Sequence, residues 1–439
     1  MAEKFISIKE AMKNGSGEVF LRGWVYRERG SNKLKFIVLR DSSDIIQCVL
    51  KKEDFSEEEW EKIDKIKIES SVQLGGDIKK DERAPTGFEV SVREFKIIGE
   101  ADDFPINKDL NEKLLGDRRH LWIRSRKMTA IMKIRSTVFR AIHDYFRGKG
   151  FYEHQSPTLL EAAGESGSSV FEVKYFDRKM YLAQTWQLHA EAMIYSLEKI
   201  YTIAPSFRAE KSNTSRHLTE YWHAEMEVAW CNFKDLQDYA EELIKYVLGE
   251  VLKKNSEELE ILKRDKKALE RCIEKKFPRM TYDEALKILK EKCGMSVEWG
   301  KDLRTIEEDK LSKVHDTPII ITDYPKSVKA FYMKESEGLS EKSEEEKTVQ
   351  GFDIIAPEGY GEIVGASQRE ENIGKIIENL KREGEKVENY SFYLDTRRYG
   401  SVPHGGFGLG VERLVSWICG LESVKEAIAF PRTMTRVRP

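Results

Sequence analysis

The feature that most constrains this chain is a change of hydrophobic period between residues 100 and 126. Up to Gly99 the apolar residues come in short runs rich in β-branched and aromatic side chains, the mark of strands. From Arg126 onward Ile131, Ile134, Val138, Ile142 and Tyr145 fall on one helical stripe that Gly148 and Gly150 end. One core cannot serve both patterns, and 439 residues exceed what one core usually fills.

The first pattern reads as follows. Val19 to Tyr26 and Lys35 to Arg40 are strands, and Asp41 to Asp44 turn the chain into a third strand, Ile45 to Leu50. A helix over Glu57 to Ile66, acidic at its start, precedes strands near Val72–Leu74 and Phe88–Val92. Five short strands around one helix predict a small closed β-barrel of the OB type. The organisation expected is a barrel domain over 1–100, a polar linker or hinge over 101–125, and a second domain over 126–439. That second domain carries a helical, charged insertion around 253–350.

Within it, Glu191 to Ile200 and Leu236 to Leu252 read as helices, Met180 to Ala183 and Glu225 to Trp230 as strands. Lys253 to Ala268 reads as an exposed charged helix, and the acidic, Ser-rich stretch Glu335 to Lys347 as a mobile loop. No internal repeat is visible.

Composition excludes several classes. With 74 basic against 77 acidic residues the net charge is −3, so the chain is not a globally basic nucleic-acid binder, although basic clusters occur locally, as in Arg22, Arg27, Arg29, Lys33, Lys35 and Arg40. No apolar run reaches membrane-spanning length and Met1 to Phe5 begins no signal-peptide core, so a cytoplasmic protein is expected. The five cysteines stand singly, without zinc spacing, as thiols of a reducing compartment do.

Four segments of the second domain carry chemistry. Gly150 to Pro157 is a helix exit, a strand and a proline. Phe207-Arg208-Ala209-Glu210 reads as strand, so that Arg208 and Glu210 share a face; a loop with Lys211, Arg216 and His217, positive enough for a polyphosphate, leads to Tyr221, suited to stacking a base. Asp353 and Glu362, the latter in Gly361-Glu362-Ile363-Val364-Gly365-Ala366-Ser367-Gln368-Arg369, are hard oxygen ligands for a Mg²⁺ that also holds phosphates. Gly405 to Arg413 is a glycine-rich strand running into a helix, where a nucleotide can lie on bare backbone and Arg413 can reach a phosphate. It is no dinucleotide fingerprint, since no βαβ unit follows.

Gly150 to Pro157, Phe207 to Glu210 and Gly408 to Arg413 resemble motifs 1, 2 and 3 of the class II aminoacyl-tRNA synthetases. A barrel in front of this core resembles the subgroup that charges aspartate, asparagine or lysine, and the likeness covers nearly the whole chain. It implies an α+β fold: an antiparallel-sheet catalytic domain behind an N-terminal OB-fold, with motif 1 building a homodimer interface. It implies that Arg208 binds the ATP α-phosphate and the substrate carboxylate, and that Glu210 and the His217-Leu218 backbone approach the adenine on which Tyr221 stacks. Gly410 lies under the nucleotide, Arg413 and His217 hold the γ-phosphate, and Asp353 and Glu362 hold magnesium. Glu165 approaches the amino acid's ammonium and Gln187 lines its pocket. In the barrel, Phe36 stacks on an anticodon base and Gln47 reads a base edge.

The amino acid follows from finer detail. Aspartate enzymes have a lysine where Ala190 stands in Gln187-Leu188-His189-Ala190, and a missing cation opposite a buried carboxylate costs several kcal/mol. Ala224-Glu225-Met226-Glu227 and Gly361 to Arg369 resemble the asparagine enzymes of archaeal type. Glu225 is expected to accept from the side-chain amide of asparagine and Arg369 to donate to its oxygen. The partners implied are ATP, L-asparagine and tRNA(Asn). Alternatives are an aspartate enzyme, non-discriminating ones included, a synthetase-derived asparagine synthetase, which would lack the barrel, and a catalytically dead tRNA-binding protein, which intact Arg208, Glu362 and Arg413 oppose. Aspartate enzymes carry a metal-binding serine at the position of Gly365. No general base for the transfer step is legible, and the roles of Trp186 and His189 stay open.

Overall fold

Along the first strand, β1 (Gly17–Ser31), Val19, Leu21, Gly23 and Val25 are buried and alternate with exposed or half-exposed residues, which curls the strand over a core. It pairs antiparallel with β2 (Leu34–Arg40), which pairs with β3 (Ile45–Lys51). β4 (Ser71–Lys80) and β5 (Phe88–Gly99) complete a closed barrel in the order β1-β2-β3-β5-β4. The helix Glu57–Asp64, started by a Ser56–Glu59 capping box, drops Trp60 and Ile63 onto the barrel core. These elements belong to one of two units into which the chain divides, Met1–Leu121 and Trp122–Pro439. The computed structural model describes residues 4–107, 111–161, 169–211, 214–338, 341 and 343–439.

The second unit is built on a sheet of eight strands. β6 (Tyr152–Glu153) enters it; β7 (Leu159–Leu160), β8 (Glu172–Tyr175) and β9 (Arg178–Leu182) form a separate sheet in the order β7-β9-β8. β10 (Lys199–Phe207), β11 (Glu220–Ala229), β12 (Arg279–Thr281), β13 (Ile319–Thr322), β14 (Gly351–Ala356), β15 (Gly361–Gln368) and β16 (His404–Gly410) complete the large sheet in the order β12-β13-β14-β15-β16-β11-β10-β6. Pairing is antiparallel except at the two ends, β12 with β13 and β10 with β6.

The two-residue period of these strands sorts the sheet's faces. Ala224, Met226, Val228, Phe407 and Leu409 join one core with Ile131, Ile134, Val138, Ile142 and Tyr145 of the helix Arg126–Gly148. The same core takes in the helices Phe233–Lys254 and Val411–Cys419. The opposite face carries Tyr221, His223, Glu225 and Glu227 from β11, and Gly406, Gly408 and Gly410 from β16.

Several local expectations need correction. Ile200 belongs to β10, because Glu198 adopts φ 60° and stops the helix Gln187–Leu197. Lys253 to Ala268 is not one exposed helix: Asn255 ends the helix Phe233–Lys254, Lys263 has φ 56°, and Asp265 caps a new helix, with Leu259 and Ala268 buried. The insertion is not only helical, since it gives β12 and β13 to the sheet. Of the stretch 335–347, residues 339, 340 and 342 lie outside the described residues, and Glu335 is tied to Lys326 and Lys375 at 2.5 and 3.0 Å. All five cysteines are free; burial pushes the thiols of Cys48, Cys231 and Cys272 up to about 12, which keeps them inert. No helix among the described residues is long and apolar enough to cross a membrane.

Candidate active site

Arg208 and Glu210 do not lie on a strand as expected. β10 stops at Phe207, and neither 208–211 nor 214–218 is part of a strand before β11 begins at Glu220. The Arg208 amide still donates to the Thr219 carbonyl at 3.1 Å, next to the last pair of the ladder, Phe207 with Glu220. The basic side chains of this segment meet acids. His217 Nε2 lies 3.2 Å from Glu210, whose carboxyl this imidazole holds below the usual range, and Arg216 faces Glu308 and Asp309 at 3.6 and 3.7 Å. The Arg208 guanidinium lies 5.7 Å from the centre of the Tyr221 ring.

All the residues expected to meet ATP line one cavity: Arg208, Glu210, His217, Leu218, Tyr221, Glu362, Gly410 and Arg413. An adjoining cavity is lined by Gln187, Arg208, Glu225 and Arg369, and also by Asp353 and Glu362. Arg208, His223, Glu362 and Gly408 line both, so the two cavities meet across these side chains. Glu165 lies outside the described residues. Phe36 and Gln47 belong to the barrel unit and lie outside its apolar core cluster, Phe36 half-buried and Gln47 buried. Phe36 stands opposite Val49, with the Arg29 guanidinium 5.1 Å over its ring, and Gln47 opposite Val38 donates from Nε2 to Glu89 at 3.1 Å.

One register row joins the ends of the second cavity. Glu225 pairs with Gly408, Gly408 with Gly365, and Gly365 with Asp353. Two carboxylates thus stand on the same face with only glycines between them. A Cβ on Gly408 would lie 2.5 Å from His223 Nε2, so a side chain there would displace the imidazole and fill the floor.

At one end of the row Asp353 and Glu362 converge. A Cβ on Gly365 would lie 3.6 Å from Asp353 Oδ1 and 3.3 Å from Glu362 Oε1. Their other oxygens are tied to fixed cations: Lys329 donates to Asp353 Oδ2 at 2.8 Å and Arg413 to Glu362 Oε2 at 3.2 Å. Burial raises the Asp353 carboxyl to about 6, Lys329 opposing and the charge of Glu362 adding. Burial presses Glu362 the same way, but Arg413, Lys329 and Arg208 outweigh it and hold the group low. Burial and Glu362 push Glu308 to about 7. Two hard oxygens over a glycine fit a dication that takes its remaining ligands from water and phosphate. Among the described residues no group of three or more His, Cys, Asp and Glu is arranged to hold a metal alone.

At the other end Glu225 is fully buried and accepts from Thr185 Oγ1 and, at 3.0 Å, from the Trp186 amide. Burial raises its carboxyl above the ordinary value despite these two bonds. Arg369 lines the cavity, but its fork is directed at Glu227, with Nε and Nη2 at 3.0 and 2.8 Å, while Nη1 donates to Ser367 at 2.7 Å. Only its remaining N–H groups can serve a ligand. Gln187 Nε2 donates to Glu191, which Arg397 and His404 also contact, so Gln187 belongs to a buried charged network. His189 packs 5.0 Å from the Phe392 ring and does not line either cavity.

Sequence reasoning missed His223, Glu227, Thr185, Glu308 and Lys329. The strand period carried a signal for the first two, which share a face with Tyr221 and Glu225; for Glu308 and Lys329, brought in by the insertion, it carried none.

The class II tRNA synthetases (D, K and N) match residues 111–434, and the OB-fold nucleic acid binding domain matches residues 19–98. The asparagine–tRNA ligases of Thermoplasma acidophilum and Thermococcus kodakarensis are 45% and 47% identical, in each case over 96% of this chain and 96% of the relative. The asparaginyl-tRNA synthetase of Pyrococcus horikoshii, solved in complex with asparaginyl-adenylate, superposes with a TM-score of 0.94 at 43% identity, covering 100% of both chains. A polar sheet face with its glycine row, an OB-fold earlier in the sequence and likeness along nearly the whole length make this chain a member of the class II tRNA synthetases of the D, K and N group.

Proposed function

We propose that this chain is an asparagine–tRNA ligase: it activates L-asparagine with ATP and transfers it to the 3′ end of tRNA(Asn) in the cytoplasm. The observation that carries the reading is Glu225, an acceptor buried at the end of a glycine-floored pocket that no lysine lines among the described residues; Ala190 packs in the apolar cluster with Trp186 and Ile194 and does not line it.

Activation needs an in-line attack of the substrate carboxylate on the α-phosphorus, with negative charge building on the equatorial oxygens. Arg208 borders both cavities and is placed to bridge the two reactants, neutralising that charge without a protein nucleophile. Arg413 and His217 hold the far phosphates, Tyr221 stacks on the adenine, and Glu210 with the Leu218 backbone fixes its edge. Mg²⁺ held by Asp353 and Glu362 would neutralise phosphate oxygens. The amide of asparagine donates to Glu225 while Arg369 approaches its oxygen, with Gln187 lining the pocket and Glu165 at the ammonium. Two chains pair through the segment around Pro157, where Tyr152 is 59% exposed.

Pyrophosphate exchange run over all twenty amino acids tests the reading. Exchange with asparagine far above the rest is expected; preference for aspartate would replace it by the aspartate reading, and no exchange by a tRNA-binding role.

The barrel makes a separate prediction. Phe36→Ala should raise the KM for tRNA about ten- to a hundredfold, the value of one base stacked on an aromatic ring, and leave pyrophosphate exchange nearly unchanged. Equal losses in both assays would indicate a misfolded barrel.

A further inference from the structure

Glu225 can report on an amide only if its carboxylate is held still, and its two donors, Thr185 Oγ1 and the Trp186 amide, sit on the short turn between β9 and the helix Gln187–Leu197. A turn is a poor anchor unless something else fixes it. Backbone bonds of Ala183 to Thr158 and Phe207 hold its start, and the indole of Trp186 holds its end. Its Nε1 donates to the His154 carbonyl at 3.0 Å, its ring lies 5.8 Å from the His154 ring, and only 5% of the residue is exposed. Ser156 Oγ adds a longer bond of 3.4 Å to the Trp186 carbonyl.

His154 is in turn fastened to the sheet, its amide donating to the Tyr201 carbonyl on β10 at 2.9 Å. β10 pairs with β11, where Thr202 faces Glu225. The bonds therefore close a ring: Glu225, Trp186, His154, Tyr201 and back through the strand pair to Glu225. In such a ring no member shifts without stretching another.

We propose that Trp186 is a positioning residue for amino-acid selectivity, its indole N–H locking the Thr185–Trp186 turn so that Glu225 meets the asparagine amide at a fixed place. The inference rests on the reading of Glu225 given above.

Trp186→Phe keeps an aromatic ring in the packing and removes the N–H. The ratio of kcat/KM for asparagine to that for aspartate in adenylate formation is expected to fall about three- to tenfold, the worth of one hydrogen bond. The loss should lie mainly in the KM for asparagine, with the KM for ATP and the melting temperature little changed. Adding Trp186→Phe to Glu225→Gln should lower the ratio no further. An unchanged ratio in folded Trp186→Phe, beside a changed one in Glu225→Gln, overturns the role of Trp186 and leaves that of Glu225 standing. An equal fall in both backgrounds also overturns it, because Trp186 would then act by another route. If neither single variant moves the ratio, Glu225 itself is not the reader and both assignments fail.

Discussion

Arg208→Ala and Arg413→Ala should each reduce asparagine-dependent pyrophosphate exchange by about a hundred- to a thousandfold, the scale of losing one preorganised charge partner of the transition state. Neither arginine is a core residue: their side chains are 32% and 28% exposed, one on the loop after β10 and one in the first turn of the helix Val411–Cys419. The melting temperature should therefore move little. For Arg413 a second effect follows from its bonds to both the carbonyl and the carboxylate of Glu362. Its removal frees Glu362, the proposed magnesium ligand, to turn, so more magnesium should be needed for the residual activity. Exchange near the parent level in either purified variant would remove that residue from the phosphate-binding set.

Glu225→Gln should lower the asparagine-to-aspartate ratio of kcat/KM by about a hundredfold, because a glutamine amide can donate to a carboxylate as well as accept from an amide. The buried carboxylate makes the same change reversibly. Burial raises its proton affinity, so as pH falls towards its raised value a growing fraction carries a proton. Protonated Glu225 is a donor, as glutamine is. The ratio should be highest where Glu225 is fully ionised and fall as pH is lowered, while in Glu225→Gln this pH dependence should vanish. A ratio flat with pH in the parent enzyme would argue against Glu225 as the discriminating group.

Much of this site was legible before any coordinates, for reasons that differ between residues. Gly406, Gly408 and Gly410 alternate with Phe407 and Leu409, so a bare face and a core face could be read from a two-residue period alone. The helix Arg126–Gly148 announced itself through a stripe whose expected members are all buried. Arg208 and Glu210 show the limit. The pair does line one cavity with His217, Tyr221 and Arg413, but from a loop and not from the expected strand, since a strand and an extended loop share local propensities and differ only in their hydrogen-bond partners. Lys329 and Glu308 were out of reach. Each arrives from the insertion, far along the chain from the carboxylates it influences, and no local pattern encodes such a meeting.

The row from Glu225 through Gly408 and Gly365 to Asp353 spans three interstrand steps, each roughly 4.8 Å. That separation belongs to the backbone ladder of the sheet and to no side chain along it, so the pocket is a gauge whose length is set by main-chain hydrogen bonds. Both stops are clamped, one by Thr185 and Trp186, the other by Lys329. A substitution along the row can fill the space between the two acids, but it cannot change the roughly 14 Å that the ladder sets between their strands.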